Sequence, residues 1–596
     1  MNGRKDAFTG QAKPPVKVTA ITMKITLVGI NAKYIHTNLA IRYLKAYTTE
    51  RTGIPVETME FTINQRPELL LRELYRAKPD VLAFSCYIWN YEMVKGLVAE
   101  LKRLLPACLI LLGGPEVSYA AEQALTETAC DLVMTGEGER SFCEFCRAFW
   151  GGADWHAVPG IAFRAENGVT FTRPPMPVSL DELAFPYNDD ELAGDRILYY
   201  ESTRGCPFSC QYCLSGEDQS VRFRSLPLVF ADLDRFLKMR VRQVKFIDRT
   251  FNCRRSHALA IWHYLSEHDN GVTNFHFELA AELLDEETIS WLGTVRKGLF
   301  QFEIGVQSTN PETLAVIKRI TLPDKLTPII HGLQRGRNIH LHLDLIAGLP
   351  YEGYERFGDS FNYVYSLSPD QLQLGFLKVL KGSGLALNQE QYGLEHTASA
   401  PYEVTRTPWL TYDEVLRLEM AAEMVELYYN SCRYAKEEAY LASLFPSPFR
   451  FYEALGDFYE AKGYHLAPHA KLEYYTILWE FGQSVNGFDP ERFQWLAKYD
   501  LFSHEKAKKL PEWLEAGWKE QFRDRIFAWF DRRENVERYL PEYMDFDTRQ
   551  LIRSAHIEVF PFDPETSSDG EAAILFNYRR CDLLGRAEAV RIELPV

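Results

Sequence analysis

Long apolar runs are missing from this 596-residue chain. Nothing in it reaches the length of a membrane-spanning helix, and the opening stretch MNGRKDAFTGQAKPPVKVTAIT lacks the continuous apolar region of a signal peptide. An excess of positive charge is missing too. With 66 lysines and arginines against 82 aspartates and glutamates, the formal net charge is −16, which argues against a broad grip on nucleic acid or anionic membrane. There is no internal repeat and no low-complexity tract. The eleven cysteines are an odd number. Without a secretory signal they argue for a reducing, cytoplasmic setting and against a disulfide framework. Binding to small molecules is the default expectation that remains.

What is present reads as ordinary globular protein, 46% apolar and 25% charged, long enough for three or four domains with their own cores. Residues 1–22 read as a disordered extension. Over 23–150, the strand-like stretches KITLVGI, VETMEF, VLAFSCY, ACLILLGG and DLVMTG alternate with amphipathic segments. That alternation predicts an α/β domain, a doubly wound parallel five-stranded sheet with helices on both faces. Ligands of such sheets bind beyond the carboxyl ends of the strands. There the chain places Gly113, Gly114, Pro115 and Glu116 of GGPEVS, and Gly136, Glu137 and Gly138 of GEGE. The turn GxGxxG is lacking after the first strand, where GINAKYIHTN stands instead, so a dinucleotide is disfavoured and another large ligand is expected. Tight strand-to-helix turns are the plainer reading of these glycines.

Residues 151–196 read as a linker containing a hairpin, GIAFRAENGVTFTRPP. Six strand-like stretches then follow over 197–395: ILYYEST, QVKFIDRT, NFHFELAAE, QFEIGVQS, IHLHLDLIAG and QLQLGFLKVL. Separated by helical segments, they predict an open (β/α)6 barrel. Residues 396–596 read as a mainly helical domain ending in the strands AAILFNY and AVRIELPV. Its aromatic density reads first as core and second as a pocket wall for a flat ligand. Its position suggests that it closes over the barrel mouth and selects substrate.

The barrel opens on RGCPFSCQYCLSG, with Cys206, Cys210 and Cys213 in CxxxCxxC spacing. A structural zinc site takes four ligands, and no Cys or His pair nearby supplies the fourth. Cys143 and Cys146, on a predicted helix elsewhere, read as packing. Cys253 reads as a buried small side chain, or alternatively as a substrate-facing thiol. Three close thiolates can hold three irons of a 4Fe-4S cube and leave the fourth open. Strand alternation groups Val244, Phe246 and Asp248 with His276 and Glu278, with Gln301, Glu303, Gly305 and Gln307, and with His340, His342 and Asp344. Parallel strands are usually apolar on both faces. A polar inner face therefore implies a bound cofactor or substrate.

This cysteine spacing just after the first strand of a βα barrel resembles the radical SAM superfamily. There the open iron chelates S-adenosylmethionine, and one electron cleaves it to a 5′-deoxyadenosyl radical. FELAAE, EIGVQSTNPETLAVIKR and LDLIAGLP resemble the branch containing oxygen-independent coproporphyrinogen oxidase. That likeness implies S-adenosylmethionine contacts from Glu278, Glu303, Gln307 and Asp344, with Asp344 on the ribose hydroxyls. It also implies Arg319 on the methionine carboxylate, a task suited to its forked donors, and Asp248 of FIDRTFN where the amino group is received.

A sheet domain ahead of such a barrel is similar to the cobalamin-dependent members. Anaerobic magnesium-protoporphyrin monomethyl ester cyclase and the phosphonate C-methylases are among them, and the likeness spans residues 23–395. It implies cobalamin on the glycine-bearing loops. The cobalt-ligating loop Asp-x-His-x-x-Gly is missing, so His36 is expected to help start a helix and cobalamin to be held without a protein histidine. The implied reaction removes hydrogen from an unactivated carbon and methylates it from methylcobalamin. Radical oxidation, cyclisation or rearrangement without methyl transfer is the alternative. A non-catalytic corrinoid-binding sensor or carrier is the alternative of another class. Transfer-RNA methylthiotransferases carry an additional N-terminal cysteine trio that this chain lacks. The partners implied are an external electron donor such as flavodoxin or ferredoxin and a small-molecule substrate: a tetrapyrrole, a lipid, a natural-product intermediate or a peptide.

Overall fold

The computed structural model describes residues 23–216, 219–320, 323–507, 509–514, 519–582 and 584–595. The expected N-terminal extension lies outside them. Two compact units divide the chain, one running to Ile30 and resuming over Ala40–Pro177, the other comprising Asn31–Leu39 and everything from Val178. Among the described residues, no helix is long and apolar enough to cross a membrane.

In the first unit the strands are β1 (Ile25–Asn31), β2 (Val56–Thr62), β3 (Val81–Ser85), β4 (Leu109–Gly113), β5 (Leu132–Met134), β6 (Ile161–Ala165) and β7 (Gly168–Phe171). They lie in the order β2-β1-β3-β4-β5-β6-β7. β1, β3, β4 and β5 run parallel, while β6 and β7 form a hairpin antiparallel to β5. The hairpin foreseen in the linker thus joins the sheet, which has seven strands instead of five. Period-two alternation divides β3 and β4 between two cores. Leu82, Phe84, Ile110 and Leu112 enter one, and Val81, Ala83 and Leu111 the other. Helices Pro67–Ala77 and Tyr91–Leu104 cover the first core through Leu70, Leu74, Val94 and Leu101. Helices Leu39–Thr52 and Gly138–Trp150 cover the second through Ile41, Phe142, Phe145 and Cys146. Both faces are covered because both are apolar.

The second unit opens with β8 (Leu198–Tyr200) and a short antiparallel ribbon of β9 (Thr203–Arg204) and β10 (Arg222–Phe223). β11 (Gln243–Phe246), β12 (Asn274–Leu279), β13 (Phe300–Gln307), β14 (His340–Ala347) and β15 (Gln371–Phe376) follow. β8 and β11 to β15 form one parallel sheet, β15-β14-β13-β12-β11-β8, the six-stranded open barrel that was expected. Its outer face is an aromatic layer. Phe246 lies 4.6 Å from Phe277 between ring centres, and Trp262 of helix Arg255–Glu267 lies 5.6 Å from Phe302. Truncating one such ring to alanine costs about 3–5 kcal/mol.

An open barrel has two edges, and both are covered. At β8, Ile197 N donates to Ile35 O at 2.8 Å and Thr37 Oγ1 donates to Ile197 O at 2.9 Å. At β15, the side-chain amide of Asn430 accepts from Leu372 N and donates to Leu372 O, each at 2.9 Å. That pair of bonds is what a neighbouring strand would supply. Asn430 ends a π-helical turn, Val425–Asn430, that continues helix Tyr412–Met424.

The chain beyond β15 includes a ribbon of β16 (Glu395–His396) and β17 (Val404–Arg406). Helices follow, and then an antiparallel sheet of β18 (His556–Phe562), β19 (Asp569–Cys581) and β20 (Ala587–Ile592). The two expected C-terminal strands are β19 and β20. β18 was not foreseen, since Glu558 and Pro561 interrupt its pattern. The helices dock on the flank of the barrel: Tyr354 Oη donates to Glu453 at 2.8 Å, Tyr365 Oη to Glu438 at 2.9 Å and Tyr429 Oη to Pro369 O at 2.6 Å.

Candidate active site

The ribbon β9–β10 is the neck of the cysteine loop. Gly205 makes that neck possible: its φ is +100°, and a Cβ there would stand 1.9 Å from Ser220 O. The loop backbone is fixed from two directions, because Gln211 N donates to Ile317 O at 3.0 Å and Leu385 N donates to Gln211 O at 2.8 Å. Cys206 and Cys210 are buried, Cys213 is half-buried, and all three are free thiols.

The three cysteines open into a cavity of about 230 Å³. Of the residues expected around S-adenosylmethionine, Glu278, Glu303, Gln307, Arg319 and Asp344 line the same cavity, with Gly305 among them. Tyr212, Arg249 and Thr250 also line it and were not foreseen. Among the described residues, none beyond Asp344 is part of that wall. The C-terminal region contributes no residue to that wall, although its Val404 packs in one cluster with Tyr212, which does line it.

Asp248 is not brought to the cavity. It is wholly buried, accepting from Ser202 N at 3.0 Å and from Ser202 Oγ at 2.6 Å, while His257 Nε2 lies 3.2 Å from that hydroxyl. Burial pushes its carboxyl up to about 7 in spite of the Ser202 hydrogen bonds. The reason is register. Val244 and Phe246 belong to the apolar outer layer, and the polar position of β11 is Lys245, paired across the ladder with His276 and Tyr199. The polar residues Gln243 and Lys245 were the signal for the inner face. Cys253 is half-buried and outside the wall; burial, then Asp248 and Cys206, raise its thiol.

On the inner face Lys245 Nζ lies 2.9 Å from Glu303 and 3.9 Å from Glu278, and His276 Nε2 lies 3.0 Å from Glu303. Burial drives the Glu303 carboxyl up, but His276 and Lys245 outweigh it and leave it well below the usual carboxylate range. Asp344 goes the other way, raised well above that range by burial and by the Glu303 and Glu278 charges. The two carboxyls are thus pushed in opposite directions, one towards the charged form and its neighbour towards the neutral one. Ligand atoms of Glu303, His342 and Asp344 lie within 4.8 Å of one another. Lys245 and His276 already pair with Glu303, and His342 Nε2 lies 3.1 Å from Asp344.

Gly305 leaves a gap in this wall. A Cβ at that position would stand 2.0 Å from Gln307 Nε2 and 3.6 Å from Arg319 Nη2. Between Gly305 and Gln307 the ladder register shifts, and Gln307 takes a φ of +70°, so the irregularity re-aims its amide. Its Oε1 is buried with no hydrogen-bond partner among the described residues. Arg319 Nη2 donates to Gly305 O at 2.6 Å, and Nη1 approaches Cys210 Sγ at 4.0 Å. Three soft donors with no fourth cysteine or histidine in the wall among the described residues fit a cube ligated at three irons. The unpartnered amide oxygen and the Gly305 gap fit S-adenosylmethionine beside it.

In the first unit, Ser118 Oγ donates to Gly114 O at 2.9 Å and accepts from Gly136 N at 3.3 Å, drawing the loops after β4 and β5 together. Gly113 ends β4, Pro115 and Glu116 begin a short helix, and Glu137 precedes the helix that Gly138 starts. At Gly114, φ is +109° and a Cβ would stand 2.5 Å from Cys86 O, so the turn itself demands glycine. At the carboxyl end of β3, Tyr87 stacks on a half-exposed Trp89 at 4.3 Å, and Asn90 Nδ2 donates to both Ile30 O and Ser85 O at 2.9 Å. The sheet order 2-1-3-4-5 puts a crevice at that edge. A flat aromatic surface there fits a macrocycle. His36 does not start a helix: its Nδ1 lies 2.7 Å from Tyr199 Oη, and its backbone bridges Ile197.

Residues 25–146 match the family model described as B12 binding domain, residues 200–364 that of the Radical SAM superfamily, and residues 390–576 one described as protein of unknown function, DUF4080. The chain is 25% identical over 437 residues to the cobalamin-dependent radical SAM methyltransferase TokK of Streptomyces tokunonensis, covering 67% of this chain and 62% of that one. It is 31% identical over 131 residues to the anaerobic magnesium-protoporphyrin IX monomethyl ester cyclase of Synechocystis, covering 21% of this chain and 26% of that one. It thus spans less than two thirds of either relative. Among solved structures, the cobalamin-dependent S-adenosylmethionine radical enzyme OxsB with aqua-cobalamin bound superposes with a TM-score of 0.56 at 15% identity, over 80% of each chain. That likeness is one of fold.

Proposed function

From a chain that joins a B12 binding domain to a radical SAM domain, we propose a cobalamin-dependent radical SAM enzyme that acts on an unactivated carbon of a small molecule, with C-methylation as the outcome. The observation that carries this reading is the single cavity in whose wall Cys206, Cys210 and Cys213 meet Glu278, Gln307, Arg319 and Asp344. When bound, the cluster and S-adenosylmethionine supply a radical that removes hydrogen, and cobalamin supplies the methyl group. The protein's part is to hold, orient and exclude water.

Each residue then has a task. The three thiolates hold the cluster. Arg319, braced on Gly305 O, supplies the guanidinium for the methionine carboxylate. The re-aimed Gln307 oxygen accepts from the amino group, and the Asp344 carboxyl takes the ribose hydroxyls. Glu303 is held by Lys245 and His276, which keeps its charge matched before any ligand enters. Cobalamin takes the carboxyl edge of the first unit, on the loops of Gly113–Glu116 and Gly136–Gly138 and the Tyr87–Trp89 stack. Eleven free cysteines suit a reducing cytoplasm and an external electron donor such as flavodoxin or ferredoxin.

The likeness to the cyclase favours a second outcome, radical oxidation or ring closure without methyl transfer. Anaerobic purification with iron and cobalamin supplied, then iron, sulfide and corrinoid analysis and an assay for 5′-deoxyadenosine after reduction, tests the reading. One cluster and one corrinoid with cleavage supports it. Deuterated methyl from labelled S-adenosylmethionine in the product separates methylation from oxidation. Cleavage without corrinoid sinks methyl transfer, and no cleavage sinks both outcomes.

A further inference from the structure

Within the helical part of the second unit lies another cavity, of about 300 Å³, that shares no lining residue with the first. It is walled by rings. Tyr459 lies 5.7 Å from Tyr464 at 73°, Tyr464 lies 5.4 Å from His469 at 88°, and His469 lies 5.6 Å from Tyr474 at 82°. Tyr428 closes the circuit behind them, 6.3 Å from Tyr474 at 87° and 6.2 Å from Tyr459 at 76°. Successive rings stand to one another as adjoining walls of a box, and four of the five line the void.

The chain builds these walls on fixed elements. Helix Pro448–Lys462 carries Tyr459 and ends at Gly463, whose φ of +72° turns the chain so that Tyr464 packs back on that helix. Helix Lys471–Gln483 carries Tyr474. The polar tips are already engaged by protein. Tyr428 and Tyr459 share a hydroxyl–hydroxyl contact, Tyr464 Oη donates to Glu480 at 2.6 Å, His469 Nε2 donates to Tyr464 O at 2.8 Å, and Tyr474 Oη accepts from His469 N at 3.3 Å. What these rings have left to offer a ligand is their faces. An aromatic face is the negative pole of the ring quadrupole. Glu423 adds a carboxylate to the same wall, which also holds His465 and His469 but, among the described residues, no lysine or arginine.

We propose that this cavity binds an organic cation, an alkylated ammonium group, held against the faces of Tyr464 and Tyr474 above the buried Tyr459 and balanced by Glu423. Rings at right angles suit a compact, roughly spherical cation, which touches several faces at once. A flat neutral ligand would need parallel walls. The site is independent of the barrel chemistry and adds a ligand-binding role to the C-terminal region.

Choline and its neutral isostere 3,3-dimethylbutan-1-ol test the proposal on the full chain, by saturation-transfer NMR and calorimetry at pH 8, where ordinary imidazoles are neutral. Saturable choline binding, with the neutral isostere weaker by about tenfold or more, is expected. Tyr464→Phe should retain binding and Tyr464→Leu should lose it. Ala467→Phe fills the void from an exposed position and should lose it without removing any wall, which keeps the test valid if Tyr464→Leu fails to fold. No choline binding, equal binding of the neutral isostere, or binding retained in Ala467→Phe each overturns the proposal.

Discussion

Asp248 shows at the scale of one residue how a polar side chain in a barrel can serve the frame and not the ligand. Its carboxyl titrates at about 7 in the folded protein against an ordinary 3.8. A folded-state value raised in this way means that the native protein holds the proton longer than the unfolded chain. The stabilising effect is full below about pH 4, is lost as pH rises toward 7, and stays lost above it. Asp248→Asn keeps the neutral shape at every pH. Its thermal midpoint should match the parent near pH 4 and exceed it above pH 7, by up to about 4 kcal/mol at 1.36 kcal/mol per pKa unit. An Asn variant that melts lower than the parent at pH 8 would refute this account. Lys245→Met tests the neighbouring network, since it leaves the half-buried Glu278 without its cation and Glu303 with His276 alone. A loss of up to about 4 kcal/mol in stability is expected. Thermal melting checks it, and Lys245→Arg should recover most of the loss. Neither residue's place was legible in the sequence with equal ease. The alternation rule separates two faces of β11 but does not say which faces inward, and the motif likeness drew Asp248 inward against its apolar companions Val244 and Phe246.

At the scale of the element, β13 is regular until Gly305, where its register against β14 breaks and Gln307 turns with positive φ. Gly305→Ala places a Cβ against the mobile end of Gln307, not against backbone, so the fold should survive while the amide moves. Loss of S-adenosylmethionine binding by equilibrium dialysis, with iron content unchanged, is the expected outcome; binding within twofold of the parent would refute it. Strands β1 to β5, β8 and β11 to β15 were all legible, because each is a short apolar or alternating run bounded by turn residues. The irregularity at Gln307 was not. A register shift leaves no mark in hydrophobic periodicity, and only the glycine two residues earlier hints at it. The same limit hid the neck at Gly205, whose need for glycine comes from Ser220, 15 positions away in the sequence.

For the whole molecule, the C-terminal region was expected at the barrel mouth; its helices dock on the barrel's flank, while its Val404 N donates to Leu377 O just past the carboxyl end of β15. Its aromatic density did foretell a packed core, but the rings around its cavity stand at right angles and are not the wall for a flat ligand that was the second expectation, and composition carries no direction of docking. The region stands in for the strand that the open sheet lacks beyond β15. Asn430→Ala should lower the thermal midpoint by the equivalent of about 1–3 kcal/mol, since it orphans the N–H and C=O of Leu372 together. A chain ending at 395 should self-associate in light scattering through the bared β15. A monomeric, folded fragment would contradict that assignment.

The Asn430 amide also sets a clock on synthesis. Leu372 leaves the ribosome 58 residues before its partner does, which at about 5–20 residues per second is an interval of about 3–12 s. Through that interval the last strand of the barrel has no neighbour on its outer side. Slower translation lengthens this exposure and chaperone occupancy shortens its consequences, so the yield of folded protein is tied to the speed at which the C-terminal third is made.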